Sequence, residues 1–332
     1  MMLKTMIPGL LLASLAPFAQ AEPQTPGPTW SIGWLDAGYL PRHAALGQAA
    51  DTLASASAAL CAKPDKATLY KARAAWLATS QAWRAMDGAS GGPMVLERLG
   101  RKIDFRPTRP ADIEASLGLA AAERLGNVAT RGLAAAEYLL WGEKQPAQQL
   151  AKLRDAQRCA MLAEIGRQVA SDVHALDAGW QSYRQQLGGE SDFFRQNLLS
   201  EHINLMIAAL EGLQKRLPKD EAPRPANFIE WRSGSSKSQL LAQIGGFGTA
   251  FFATPGPAGR LNGDLAARMQ ARFDAARKDC AALPDPLETS GAASHAARKQ
   301  CSKALSALKT VLQDEVAVEL DLTLGFTEGD GD

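Results

Sequence analysis

Apolar residues recur along this chain at steps of three and four. From Leu162 they fall at Ile165, Val169, Val173, Leu176, Trp180, Tyr183 and Leu187, one stripe along a long helix. Pro146 is read as opening that helix, and Gly188-Gly189 as closing it. A second stripe, Leu199, Ile203, Met206, Leu210, Leu213 and Leu217, stops at Pro218. A third helix is predicted to begin at the capping box Ser236-x-x-Gln239 and to carry Leu240, Ile244, Phe247 and Phe251. Earlier helices run from Pro41 to about Cys61 and along Leu69, Trp76 and Trp83. Late ones carry Leu265, Met269, Phe273, Ala276 and Cys280, then Ala297, Cys301, Leu305, Leu308 and Leu312. Runs of β-branched residues are nearly absent, so the pattern predicts an all-α protein.

Two segments break the pattern, Gly88 to Arg109 and Pro218 to Ser235. Long irregular stretches within a helical protein are often functional. A faint echo links the two halves. Each has a helix ending at a cysteine (Cys61, Cys280), followed by a Pro-Asp loop (Pro64-Asp65, Pro284-Asp285) and another amphipathic helix. The echo suggests two packed helical bundles from a duplication, residues 22–187 and 188–332.

The first residues bear on location. Lys4, the apolar stretch Met6 to Ala16 and Ala19-Gln20-Ala21 read as a cleavable signal peptide over residues 1–21, which predicts a periplasmic protein. No later apolar run is long enough to span a bilayer. Four cysteines remain, which in an exported chain favours two disulfides. Of three pairings, Cys280–Cys301 is favoured because these residues flank a Pro-containing connection between two helices. That choice leaves Cys61–Cys159. A formal net charge of +1, with no basic run interleaved with aromatics, argues against a nucleic-acid partner.

The candidate chemistry centres on a helix predicted from about Asn127 to Trp141. There Glu137 lies four residues after Leu133 and three before Leu140, a carboxylate on an apolar stripe. Burying that charge is costly unless a cation, a metal or several donors meet it. An internal ion pair with Arg131, Arg106 or Arg232 would satisfy it, and so would a ligand. Arg232 and Ser233 precede a helix N-terminus, where an anion is favoured.

The segment Gly132 to Gly142 resembles the signature of imelysin-like proteins, in which glycine, one residue, histidine, two residues and glutamate precede an aromatic–Leu-Leu-Trp-Gly ending. Ile103-Asp104-Phe105-Arg106-Pro107-Thr108-Arg109-Pro110, Trp231-Arg232-Ser233-Gly234-Ser235-Ser236 and the C-terminal stretch from Leu308 to Asp332 are similar to other stretches of that family, in the same order. The resemblance implies two four-helix bundles with a cleft at the motif, and an envelope role linked to iron acquisition. The family was named for an insulin-cleaving membrane protease, and relatives include a periplasmic iron-uptake component. Here the motif histidine is replaced by Ala134. A His-x-x-Glu pair on one helix face suits a metal, whereas Glu137 alone is a poor transition-metal site. None of His43, His174, His202 and His295 forms a pair at ligand spacing. The expectation is therefore a non-catalytic binding or accessory protein. Its cleft would be lined by Glu137, Asp104, Arg106, Arg232 and Ser233, with iron or another divalent metal, a metal chelate, or an envelope protein as partner. The alternatives are a metallopeptidase-like hydrolase and a protein-interaction module that lost the metal site.

Overall fold

The computed structural model describes residues 25–86, 92–96, 99–189 and 191–325. The expected signal peptide, residues 1–21, and the last residues of the C-terminal resemblance lie outside these. Among the described residues every regular element is helical.

The stripes read from the sequence are the buried faces. Every residue from Ile165 to Leu187 in the first stripe, and from Leu199 to Leu217 in the second, lies in the core. The Ala156–Leu187 helix packs along Leu40–Ala62, which also packs on Lys66–Arg84. Gly132–Trp141 leans on both Ala156–Leu187 and Lys66–Arg84. In the second half, Ala292–Val311 packs on Gly263–Ala281 and on Phe193–Lys215. The Ser236–Phe251 helix serves both halves, lying against Lys66–Arg84 on one side and Gly263–Ala281 on the other. Gly246 permits that crossing. A β-carbon there would stand 2.0 Å from the Ala85 carbonyl oxygen, so only glycine lets the two backbones meet. The buried apolar residues form one continuous cluster.

Several boundaries differ from the sequence reading. Pro146 opens a separate short helix, Pro146–Leu153, and the long helix starts at Ala156, with the Asp155 side chain accepting from the Arg158 amide. The Asn127 to Trp141 stretch is split into a 3-10 turn at Val128–Thr130 and an α-helix from Gly132, because Gly132 has φ +74° and interrupts the helical path. The capping box at Ser236 does not form. Ser235 is the cap residue, and the Ser236 hydroxyl turns back to the Ile229 carbonyl. The first long helix is joined to Pro28–Trp34 through a π-helical turn at Leu35–Tyr39.

Cys61 is bonded to Cys159, with Cα atoms 5.4 Å apart, and Cys280 to Cys301 at 4.6 Å. The second bond joins neighbouring antiparallel helices across the loop near Pro284. No helix among the described residues is long and apolar enough to cross a membrane.

Candidate functional site

Gly132 explains why the motif begins with glycine. A β-carbon at that position would lie 2.4 Å from the Ile103 carbonyl oxygen. Its absence lets the start of the Gly132–Trp141 helix tuck under the loop that carries Asp104 and Arg106. Trp76 anchors the same turn by donating its indole N–H to the Leu133 carbonyl at 2.9 Å. At the other end, Arg73 donates to the Leu140 carbonyl at 2.7 and 3.0 Å and lies over the Trp141 ring. Tyr138 donates its hydroxyl to Glu114 at 2.6 Å. Burial, then the hydrogen bond to Glu114, pushes that phenol up to about 12. The aromatic ending of the motif is therefore a packing and capping device.

Glu137 is 1% exposed, and both of its oxygens are engaged. Oε2 accepts from Arg106 Nη1 at 2.6 Å; Oε1 accepts from the Ser233 amide at 3.1 Å and from its hydroxyl at 2.9 Å. Of the three arginines considered as partners, Arg106 makes the pair. Arg131 goes to Asp172 instead. Arg232 lies over the rings of Trp231, at 4.5 Å, and Tyr138, at 5.7 Å.

The pair belongs to a larger network. Arg106 Nε also donates to Asp104 at 2.9 Å. Asp104 accepts from Arg84 at 2.5 Å, and Arg84 donates twice to Glu230 Oε1, at 2.9 and 2.6 Å. Two guanidiniums thus bind three buried carboxylates. The electrostatic consequences follow from that arrangement. Burial works against the Asp104 charge, but Arg106 and Arg84 outweigh it and hold the carboxyl below its ordinary value. Burial also opposes the Arg106 charge, yet Asp104, Glu137 and Glu230 raise it above the usual guanidinium range. For Glu230 burial wins, and the carboxyl is raised despite Arg84 and Arg106. Glu230 also has φ +57°, uncommon for a residue with a side chain. It is held there by a tight turn, in which Ser235 N–H donates to the Glu230 carbonyl, with the Ser233 hydroxyl oxygen 2.9 Å from the same carbonyl oxygen.

The structure brings together Asp104, Arg106, Glu137 and Ser233 by direct contact and sets Arg232 beside them. Sequence reasoning missed Arg84 and Glu230. Each abuts a tryptophan in an apolar run, Trp83 and Trp231, and a charge in such a place was the available signal.

The donor set does not fit a resident transition metal. Ala134 stands in the histidine position and is buried. The oxygens of Glu137 already accept from a guanidinium and a serine. No group of three or more His, Cys, Asp or Glu suited to a metal occurs among the described residues. The four histidines do not substitute. His202 is buried and hydrogen-bonded to the Tyr39 hydroxyl at 2.8 Å, His43 is buried, His174 is at the surface, 2.9 Å from Asp51, and His295 is half-buried in the first turn of the Ala292–Val311 helix.

Fold and site together define an all-helical protein organised around a buried ion network at the motif helix. The chain belongs to the imelysin family (peptidase M75), which matches residues 39–314. Solved structures share its fold, among them the following two. One is an imelysin-like protein from Psychrobacter arcticum 273-4, 18% identical, with TM-score 0.72, covering 90% of this chain and 96% of that one. The other is a putative iron-regulated protein A precursor from Parabacteroides distasonis ATCC 8503, 16% identical, with TM-score 0.78, covering 91% of this chain and 97% of that one. No curated protein matches the sequence.

Proposed function

We propose that this protein is a periplasmic, non-catalytic member of the imelysin family that serves iron or other metal acquisition by binding an anionic metal chelate. The chelate would meet the protein at Arg232, with Ser233 beside it and Glu137, Asp104 and Arg106 forming the rigid support beneath. The observation that carries this reading is the state of Arg232. Its guanidinium is stacked on two aromatic faces and, among the described residues, has no hydrogen-bonded or ion-paired partner. Burial holds its pKa below the usual value, although Glu137 opposes that shift. A partly desolvated guanidinium with fixed orientation suits a carboxylate-bearing ligand. A bare cation is disfavoured, because it would have to displace Arg106 from Glu137. The iron-regulated description of one structural relative supports an iron-linked cargo. The two disulfides and the signal-like N-terminus support export.

The test is calorimetry of the protein lacking residues 1–21 with Fe(III)–citrate, with citrate alone and with Fe(II). Wild type would be compared with Arg232→Gln and Glu137→Gln. Stoichiometric binding of the iron complex that is lost in Arg232→Gln is expected. Absence of binding, or equal binding by Arg232→Gln, would overturn the reading and leave a protein-interaction role, with chelator-sensitive proteolysis as the sign of a hydrolase.

A further inference from the structure

Away from the Glu137 network, a cleft of about 610 Å³ opens between the Ser236–Phe251 and Gly263–Ala281 helices, with Arg42 in its wall. That volume lies within the range of small-molecule sites. Arg42 is unusual in its bonding. Its Nε donates to the Gly38 carbonyl at 2.6 Å, and its Nη1 donates to the carbonyls of Ala85 at 2.9 Å and Gly246 at 3.0 Å. Its Nη2 is shut off from solvent and makes no hydrogen bond. Among the described residues no carboxylate pairs with it. Its neighbours supply no counter-charge either. Burial, then the charge of Arg42 itself, holds His43 and His202 down at about 3, so both rings are neutral. Burial keeps the Tyr39 phenol protonated, and the same cause lowers Arg42 to about 10, still cationic at neutral pH.

The guanidinium also lies over the Tyr39 ring at 5.6 Å, but carbonyl oxygens and a ring face do not supply the opposite charge that normally offsets its desolvation. The rest of the cleft adds a second cation, Arg277, against one acid, Asp274, whose oxygens accept from Gln270 at 3.2 Å. Phe252, half-buried and packed edge to face on the buried Phe273 at 5.1 Å, supplies an aromatic wall. Two adjacent glycines divide the labour on the facing helix. Gly246 is pressed against Ala85, whereas a β-carbon on Gly245 would meet nothing within 4 Å. The Gly245 side therefore faces open space.

We propose that this cleft binds a small organic anion, its acidic group held at Arg277 within the field of the buried Arg42 charge and its apolar body laid against Phe252. The site shares no residue with the Glu137 network and stands independently of the chelate reading.

The test is a fluorescence titration with 8-anilinonaphthalene-1-sulfonate, with benzoate as competitor and uncharged N-phenyl-1-naphthylamine as control. Gly245→Leu fills the cleft from a position with free space, and Arg277→Glu reverses one charge. Arg42 itself is left intact because its carbonyl bonds hold the fold. One saturable sulfonate site is expected, competed by benzoate, about tenfold weaker in Gly245→Leu and several-fold weaker in Arg277→Glu, but unchanged in Arg232→Gln. Thermal melting checks that each variant is folded, and if the leucine variant is not, the arginine variant and the uncharged control decide. No saturable binding, equal affinity in a folded Gly245→Leu protein, or equal affinity for the uncharged analogue and for Arg277→Glu would each overturn the proposal.

Discussion

Removal of the Glu137 charge tests whether the motif glutamate is a structural ion-pair member. In Glu137→Gln the shape is kept. The side chain must still face Arg106 Nη1 on one side and two Ser233 donors on the other. A carboxylate accepts from both sides; an amide accepts on one and presents N–H groups on the other. One set of donors then loses its acceptor and faces another donor. Hydrogen bonds to charged groups contribute about 1.5–3 kcal/mol, and a buried group left unsatisfied costs about 1–3 kcal/mol. Breaking a buried pair by removing one partner costs about 3–5 kcal/mol, and that is the expected loss here. The assay is urea unfolding followed by circular dichroism, with the midpoint shift converted at constant m-value. A double-mutant cycle with Arg106→Ala isolates the pair, and a coupling above about 1 kcal/mol is expected. A loss below about 1 kcal/mol for Glu137→Gln, with no coupling to Arg106, would refute the reasoning and mean that the carboxylate is held for a ligand rather than for the fold.

Three further outcomes are expected. Ionised Asp104 has its pKa lowered in the folded state, so its contribution is complete above the unfolded carboxylate value of 3.8 and is lost as pH falls through the lower folded value; urea midpoints measured down the acid limb should fall less steeply in Asp104→Asn than in wild type. Gly132→Ala puts a β-carbon against the Ile103 carbonyl at φ +74° and should lower stability by more than about 2 kcal/mol, whereas Gly245→Ala should be neutral or stabilising by up to about 1 kcal/mol, a contrast read from paired melting curves. Cys61 and Cys159 are 98 residues apart and Cys280 and Cys301 are 21, so chain entropy assigns about 4.7 kcal/mol to the first bond and about 3 to the second; replacing each pair by serines should destabilise in that order by urea unfolding.

The helices and their buried faces were legible because each depends on local spacing. The stripe from Ile165 to Leu187 is one face of one helix whatever it packs against. A carboxylate at Glu137 in such a stripe also announced, by its cost of burial, that a partner must exist. Helix ends were read less well. Pro146 starts only the short Pro146–Leu153 helix while Asp155 caps the long one, and Ser235 rather than Ser236 is the cap residue of the next.

Sequence by itself therefore determined the all-helical class, the core-facing residues, the family likeness and the need to neutralise Glu137. It left three arginines as equal candidates for that task. Only the tertiary structure decided among them: Arg106 reaches Glu137, Arg131 is taken by Asp172, and Arg232 stacks on aromatic rings. Arg84 and Glu230 entered the network the same way, from positions 146 residues apart. Periodicity reports which face of a helix is dry, because that depends on neighbours three and four residues away. Which charges meet inside depends on how helices cross, and those crossings are set by contacts such as Gly246 on Ala85 and Gly132 under Ile103, which no local pattern encodes.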